Sequence, residues 1–166
     1  MNCIVAVDKS YGIGKGNKLL FHIPKDMENF KSKTSGKIVV MGKNTLLSLP
    51  KSEPLAQRTN IVLSKTLSRS DCIVCSDLVQ LSEILKNYNS DDVFVIGGEM
   101  VYKALLPYCK KAYVTKVNAE KPADKFFVNL DLCDGWELVS QSEKMNYNGI
   151  EFCFCEYENR KPSTDF

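Results

Sequence analysis

Short apolar runs that are rich in β-branched residues alternate with amphipathic helical patterns along most of the chain. The runs have the length and composition of β-strands, and they lie at 3–7, 38–41, 60–63, 73–75, 93–96 and 112–117. The helical patterns lie between them, at 25–33, around 44–47, at 77–87 and at 99–106. Alternation of this kind predicts an α/β fold with a mostly parallel central sheet and helices on both faces.

The chain changes character after residue 135. Segments 136–142 and 151–158 flank Asn148 and Gly149, and Asn-Gly is a strong signal for a tight β-hairpin turn. We therefore expect an antiparallel C-terminal hairpin that completes an eight-stranded sheet. Residues 160–166 show no periodicity, so a flexible tail is expected after a single domain that spans 1–159.

Size and charge exclude several classes of protein. A chain of 166 residues suits one domain with a sizeable core. Its net charge of +2 gives no global field that would recruit nucleic acid or an anionic membrane. No run approaches about eighteen apolar residues, and the first seven residues lack the features of a signal peptide. We therefore expect a cytoplasmic protein that binds neither nucleic acid nor membranes.

The seven cysteines are an odd number in mostly apolar surroundings, which favours free thiols. Cys72 and Cys75 have the C-x-x-C spacing, but in a strand residues three apart point to opposite faces. A zinc site would need two further thiolates, since His22 is the only histidine. We expect no metal site.

Asp26 is the candidate acid. Pro24 suits the first position of a helix, and Met27, Phe30 and Thr34 follow at spacings of three and four. This pattern puts Asp26 in the first turn and predicts a buried face formed by Met27 and Phe30. An Asp at such a position often only complements the helix dipole. Facing an apolar pocket, it would instead meet a substrate.

Two glycine-containing segments lie where a ligand could approach the sheet. Residues 12–17 have no regular element around their glycines and read as a mobile loop that crosses the carboxyl edge of the sheet as a lid. Gly97 and Gly98 separate a strand from a helix, where backbone can approach a phosphate, although a plain tight turn explains the pair equally well. Neither a G-x-G-x-x-G fingerprint nor the P-loop spacing is present.

Cationic side chains follow two of the predicted strands. Lys43 opens a helix just after one strand, and Ser64 and Lys65 follow another. Together they suggest a ligand with several phosphates, although each lysine alone is more often a solvated surface charge. Arg58 has the planar fork that suits a carboxylate, with a plain surface arginine as the alternative.

Taken together, these segments resemble the dihydrofolate reductase family over roughly residues 2–158. The matching stretches lie at 4–7, 12–15, 23–30, 40–45, 58–65, 96–102, 113–115 and 136–137. The resemblance implies an NADPH-dependent enzyme that reduces 7,8-dihydrofolate to 5,6,7,8-tetrahydrofolate for one-carbon metabolism and thymidylate synthesis. It also implies binding of 2,4-diaminopyrimidine and pteridine antifolates, and we expect a monomer.

The resemblance assigns the substrate side of the site. Asp26 would bind the 2-amino group and N3 of the pterin, with Thr115 hydrogen-bonded behind it. Arg58 would take the α-carboxylate of the substrate's glutamate. The residues implied to line the substrate are Ile4, Val5, Met27, Phe30, Leu49 and Ile96.

The resemblance also assigns the cofactor side. Ser64 and Lys65 fall where the family binds the adenosine 2′-phosphate, which selects NADPH over NADH. The nicotinamide ribose and the pyrophosphate would be held by Ala6, Ile13, Gly97 and Gly98. Further cofactor positions are Gly14, Gly42, Lys43, Asn44, Thr45, Leu63, Glu99, Met100, Val101 and Tyr102.

One departure from the family pattern lies directly before the Asp26 helix. The family usually has Leu-Pro-Trp where this chain has Leu19, Leu20 and Phe21, and Phe21 has no N–H to hold a water near the pterin. A binding protein without turnover is therefore one alternative. A sister reductase that acts on a phosphoribosyl pyrimidine is another, and Asp26 on the first helix argues against it. The failed P-loop spacing argues against a nucleotide kinase.

Overall fold

A computed structural model describes all 166 residues and contains twelve strands and four α-helices. The strands are β1 (Asn2–Val7), β2 (Gly12–Lys15), β3 (Lys18–Leu19), β4 (Ile38–Gly42), β5 (Thr59–Leu63), β6 (Ile73–Cys75), β7 (Val93–Gly97), β8 (Lys111–Val117), β9 (Lys125–Phe126), β10 (Trp136–Gln141), β11 (Met145–Tyr147) and β12 (Ile150–Asn159). The helices are α1 (Pro24–Thr34), α2 (Lys43–Ser48), α3 (Leu78–Leu85) and α4 (Glu99–Leu105). Each strand and helix predicted from the sequence is present.

The large sheet has the strand order β10-β12-β8-β1-β7-β4-β5-β6, with β11 paired to β12 as a ninth strand. The five pairs that run from β8 to β6 are parallel. The three pairs that involve β12 are antiparallel. The predicted mostly parallel sheet with an antiparallel C-terminal end is confirmed, and β11 adds a strand to the predicted eight.

The predicted hairpin turn is confirmed. Asn148 and Gly149 have φ values of 51° and 80°, and a two-residue type I′ turn requires positive φ at both positions. The strand that reaches this turn is β11, which pairs with the first residues of β12. Strand β10 pairs with the far half of β12, from Gln141 opposite Cys155 to Trp136 opposite Asn159.

Successive residues of the strands point to opposite faces of the sheet and feed two cores. Val40 belongs to the α4-side core, which also contains Leu81 of α3 and Leu105 of α4. Its neighbour Met41 belongs to the α2-side core, together with Leu46 of α2. Because each face buries its own apolar side chains, both faces need helices, as the sequence predicts.

Helix α1 lies on the α2 side of the sheet. Its Asp26 contacts Thr115, whose neighbour Val114 belongs to the opposite, α4-side core. The prediction of a buried Met27 is wrong: its side chain is 46% exposed, and Thr34 is the buried residue of the helix. The buried residues lie at the two ends of the helix, Ile23 just before Pro24 and Thr34 in the last turn, and Met27 between them stays at the surface.

A second, three-stranded sheet corrects the prediction that residues 12–17 form an irregular segment. Strand β2 pairs with β3 on one side and with β9 on the other. Gly16 and Asn17, with φ values of 55° and 60°, make the turn between β2 and β3. Strands of two to four residues are too short to show periodicity, which is why the sequence does not reveal them.

Residues 160–166 contain no helix or strand, yet they contact the domain. The Ser163 amide donates to the carbonyl oxygen of Pro107 at 2.9 Å, and the Phe166 ring lies 4.7 Å from the Tyr108 ring. The flexibility of this tail stays a prediction. All seven cysteines are free, and no cluster of metal-ligating side chains is present. None of the four helices has the length and hydropathy of a membrane span.

Candidate active site

Asp26 of α1 and Thr115 of β8 form the centre of the candidate site. Thr115 Oγ1 donates a hydrogen bond to Asp26 Oδ1 at 2.6 Å. Thr115 is buried and Asp26 is half-buried. Within the protein, Asp26 Oδ2 accepts no hydrogen bond, so one carboxylate oxygen is held and the other remains available to a donor from a ligand.

Two opposing effects act on the pKa of Asp26. Burial raises this pKa because desolvation penalises the charged form, and the hydrogen bond from Thr115 lowers it by a smaller amount. No cationic side chain of the protein compensates the carboxylate. A ligand that brings a cationic edge with N–H donors would therefore gain a charge-assisted contact here.

The ladder between β1 and β8 decides which β1 side chains share the face of Asp26. Ala6 pairs with Thr115, so Ile4 and Ala6 lie on that face. Val5 has the opposite parity and packs in the α4-side core. The side chain of Val5 therefore points away from Asp26, and a substrate could meet only its backbone.

The remaining predicted substrate residues lie on α1 or on the same face of the sheet. Phe30 is half-buried, and the Arg58 guanidinium carbon lies 5.9 Å from the centre of its ring. Leu49 and Ile96 pack against the α2-side core. Together with the exposed Met27, these side chains provide apolar surface on the side of the sheet where Asp26 lies.

Arg58 is oriented by neutral acceptors and has no carboxylate partner. Its Nε and Nη2 atoms donate to Thr34 Oγ1 at 3.2 and 3.1 Å, and its Nη1 atom donates to the Ala56 carbonyl at 2.7 Å. Partial burial lowers the pKa of Arg58. A guanidinium that is held in place without a counter-ion suits an anionic ligand such as a carboxylate.

Gly97 and Gly98 bring the backbone at the end of β7 against α2. Gly97 has φ of 130°, a region that side chains disfavour, and its peptide bond to Gly98 is cis. A Cβ atom added at either glycine would lie 3.3 Å from Thr45 Oγ1. One added at Gly42, at the end of β4, would lie 3.2 Å from Val101 Cγ2. These glycines therefore keep the surface at adjacent strand ends free of side chains.

The predicted cationic residues lie at the ends of β4 and β5, which are neighbours in the sheet. Lys43 Nζ donates to Thr66 Oγ1 at 3.1 Å, so the lysine reaches across to the segment after β5. Ser64 Oγ accepts the Thr66 amide at 3.2 Å and the Leu67 amide at 3.1 Å, which fixes the turn that carries Lys65. The structure thus brings Lys43, Ser64 and Lys65 together at one edge.

The predicted residues of α4 divide between the core and the surface. Tyr102 is buried, and its hydroxyl donates to the carbonyl of Ile4 at 2.7 Å. Val101 is buried as well, whereas Met100 is 73% exposed. Glu99 accepts the Phe126 amide at 3.3 Å and so connects the start of α4 with β9. Of the other predicted cofactor residues, Asn44 is exposed and Leu63 is half-buried.

The segment that carries Ile13 and Gly14 is tied to the residues before β9. The Gly16 amide donates to Asp124 Oδ2 at 3.0 Å, and the Asp124 amide donates to the Gly14 carbonyl at 3.0 Å. Ile13 packs against the α4-side core. The Asp8 amide donates to the Gly12 carbonyl at 3.1 Å, so the segment starts beside the end of β1. That it crosses the sheet edge as a mobile lid stays a prediction.

Asp8 is not among the residues predicted for the site, yet it organises the loop after β1. Asp8 is 3% exposed. Its Oδ1 atom accepts the amides of Ser10 and Gly12 at 2.9 and 2.7 Å, and its Oδ2 atom accepts the amide of Lys121 at 3.2 Å. The local part of this motif, an Asp just after a strand with a Ser two residues later, is a turn signal that the sequence does contain.

Comparison with known proteins identifies this arrangement. A family model described as dihydrofolate reductase matches residues 1–159. Dihydrofolate reductase of Bacillus subtilis is 35% identical over 164 residues, covering 96% of this chain and 95% of that protein. The Staphylococcus haemolyticus enzyme is 33% identical, with 95% of each chain covered. A solved dihydrofolate reductase of Enterococcus faecalis, complexed with NADP(H) and RAB-propyl, gives a TM-score of 0.84 at 29% identity, covering 95% of this chain and 94% of that one.

The α/β fold and these relatives define the chain as an oxidoreductase. It belongs to the dihydrofolate reductase family, as the resemblance in the sequence implies. The match covers the whole sheet, including β8, which carries Thr115, and β7, which ends at the Gly97-Gly98 pair.

The raised pKa of Asp26 makes a prediction about stability. An Asp whose pKa is higher in the folded than in the unfolded state destabilises the fold at pH values where it is ionised, and this penalty disappears as pH falls below its usual range. We therefore expect Asp26→Asn to raise the free energy of unfolding at pH 7, with a gain that shrinks towards pH 3. Urea denaturation across this pH range measures it. Glu28→Gln, an exposed change on the same helix, is the control and should show no such trend.

Proposed function

We propose that this protein catalyses the NADPH-dependent reduction of 7,8-dihydrofolate to 5,6,7,8-tetrahydrofolate, with hydride transfer to C6 and protonation of N5. The product would supply one-carbon metabolism and thymidylate synthesis. The observation that carries the proposal is the half-buried Asp26 carboxylate, held at one oxygen by Thr115 and left open at the other, in a chain of the dihydrofolate reductase family.

Asp26 and Thr115 have the chemistry to bind and polarise the pterin. The free Oδ2 atom can accept an N–H from the 2-amino group or from N3, while Thr115 fixes the orientation of the carboxylate. Phe30, Leu49 and Ile96 supply apolar surface for the ring system and exclude water from it. A protonated 2,4-diaminopyrimidine would pair with the same carboxylate, which makes such antifolates expected ligands.

The strand ends fit NADPH. Side chains at Gly97 and Gly98 would occupy the space beside Thr45 Oγ1, so these glycines leave the backbone open to a ribose and a pyrophosphate. Lys43, Ser64 and Lys65 lie further along the edge, where they can meet phosphates. When bound, NADPH supplies the hydride. The roles of the individual cofactor residues remain part of the proposal, as do a monomeric state and a cytoplasmic location.

The decisive experiment offers dihydrofolate and NADPH together and follows the absorbance of NADPH. Loss of absorbance that depends on dihydrofolate supports the enzyme. Stoichiometric binding of both compounds without turnover in the parent would instead assign a binding protein.

We expect Asp26→Asn to lower kcat at neutral pH by about 10² or more, the scale of a lost acid-base contribution. Activity of Asp26→Asn within about twofold of the parent from pH 6 to 9 would remove Asp26 from its role.

Lys65 tests the selection of the cofactor. Its ammonium would meet a 2′-phosphate that only NADPH carries. Lys65→Ala should therefore weaken the binding of NADPH by roughly 1 to 2 kcal/mol and leave the binding of NADH almost unchanged. Dissociation constants of both cofactors measure this difference. Lys86→Ala in the segment after α3, where the lysine pairs with Glu83, serves as a charge-matched control. Equal weakening of both cofactors by Lys65→Ala would show that the lysine supports only the local fold.

Arg58 tests the binding of the glutamate tail. The tail lies remote from the reacting carbon and binds equally in the ground and transition states, so Arg58→Leu should raise KM for dihydrofolate with little change in kcat. A pterin substrate without the tail is the control, and it should be indifferent to the change. If KM for the truncated substrate rises as much as KM for dihydrofolate, Arg58 serves only the fold, through its hydrogen bonds to Thr34 and Ala56.

A further inference from the structure

Lys121 connects three segments that meet beside the Asp26 helix. Its backbone amide donates to Asp8 Oδ2 at 3.2 Å. Its ammonium donates to the carbonyl of Leu20 at 2.8 Å and lies 4.5 Å from the centre of the Phe21 ring. One exposed lysine therefore makes a main-chain contact to the loop after β1 and two side-chain contacts to the segment before α1.

The segment that Lys121 holds leads directly into the helix of the candidate acid. Phe21 packs against a small apolar cluster that contains Ile23, Val117 and Phe152. Ile23 is 3% exposed, and its carbonyl accepts the Met27 amide at 3.1 Å in the first turn of α1. The orientation of residues 20–23 therefore determines where the first turn of α1, and with it Asp26, begins.

The opposite anchor of Lys121 is held by several hydrogen bonds. The Asp8 carboxylate that accepts its amide also accepts the amides of Ser10 and Gly12. A Cβ atom added at Gly12 would lie 2.8 Å from Ala123 Cβ and 3.1 Å from Leu20 Cδ1, so these three residues are in close contact. The lysine thus connects the buried, hydrogen-bonded turn at Asp8 with the half-buried segment before α1, which has few polar contacts of its own.

We propose that Lys121 is a positioning residue for the reduction: its ammonium holds Leu20 and Phe21 in the conformation that the substrate side of the site requires. This proposal rests on the proposed function. Without the ammonium, the segment would sample other conformations, and substrate binding would have to restore the competent one. The apparent affinity falls by the competent fraction, whereas the bound complex reacts as before. Loss of Lys121 should therefore appear in KM and leave kcat almost unchanged.

The test compares Lys121→Met, which keeps the length and apolar body of the side chain, with Lys121→Arg, which retains a cation that can stack on Phe21 and donate to Leu20. Lys125→Met is the matched control, because it removes the same charge from neighbouring β9, where the side chain makes no hydrogen bond or ion pair. Two readouts are used: backbone order parameters of residues 20–22 in the unliganded protein, and steady-state constants for dihydrofolate.

We expect the order parameters to fall from about 0.85 in the parent to below about 0.6 in Lys121→Met, with the parent value kept in Lys121→Arg and Lys125→Met. KM for dihydrofolate should rise by about three- to tenfold in Lys121→Met alone, with kcat within about twofold. Unchanged order parameters in Lys121→Met would overturn the proposal, even if none of the variants reduces dihydrofolate. Lost order with an unchanged KM, or a similar rise of KM in Lys125→Met, would also overturn it.

Discussion

The parallel ladder between β1 and β8 determines what Asp26 can meet. Its register pairs Ala6 with Thr115, and this fixes which side chains of both strands face α1. A slip of one residue would turn Thr115 into the α4-side core and bring an apolar neighbour beneath the carboxylate. The hydrogen bond from Thr115 to Asp26 is therefore a consequence of backbone pairing across the centre of the sheet. The same order of parallel strands gathers the ends of β4, β5 and β7 at one edge, where Gly97 and Lys43 lie.

The charges of the site are arranged for a partner that the protein itself does not contain. Asp26 is held by a neutral hydroxyl, and Arg58 is held by a hydroxyl and a carbonyl, so neither has an opposite charge beside it. Burial disfavours the ionised form of both groups, which is why it raises the pKa of Asp26 and lowers that of Arg58. Direct ion pairing would stabilise the fold but would also compete with a ligand for each charge. A molecule with N–H donors at one end and a carboxylate at the other could form a hydrogen-bonded contact with each of the two groups.

The sequence predicts the large sheet well because most of its strands are buried and rich in β-branched residues, and the observed ends differ from the expected ones by about one residue. It fails where local pattern carries no information. Strands β2, β3 and β9 are too short for periodicity, and the exposure of Met27 depends on what covers the helix face. The buried acceptor role of Asp8 towards Lys121 joins residues 113 positions apart. The sequence shows that side chains alternate along β1. Which of the two sets faces Asp26, and so whether Val5 points away from it, is known only once the two cores are known.

The segment before α1 shows how one side chain changes the hydrogen bonds that a site can form. A ring at position 21 still packs against the cluster of Ile23, Val117 and Phe152, and Lys121 lies over its face. The ring and the cation together can fix the segment in space. The phenylalanine ring cannot replace the indole N–H that the family usually has there, because it donates no hydrogen bond. The hydroxyl that the strand pairing places beside Asp26 is that of Thr115, which already donates its one proton to the carboxylate and can only accept a further hydrogen bond.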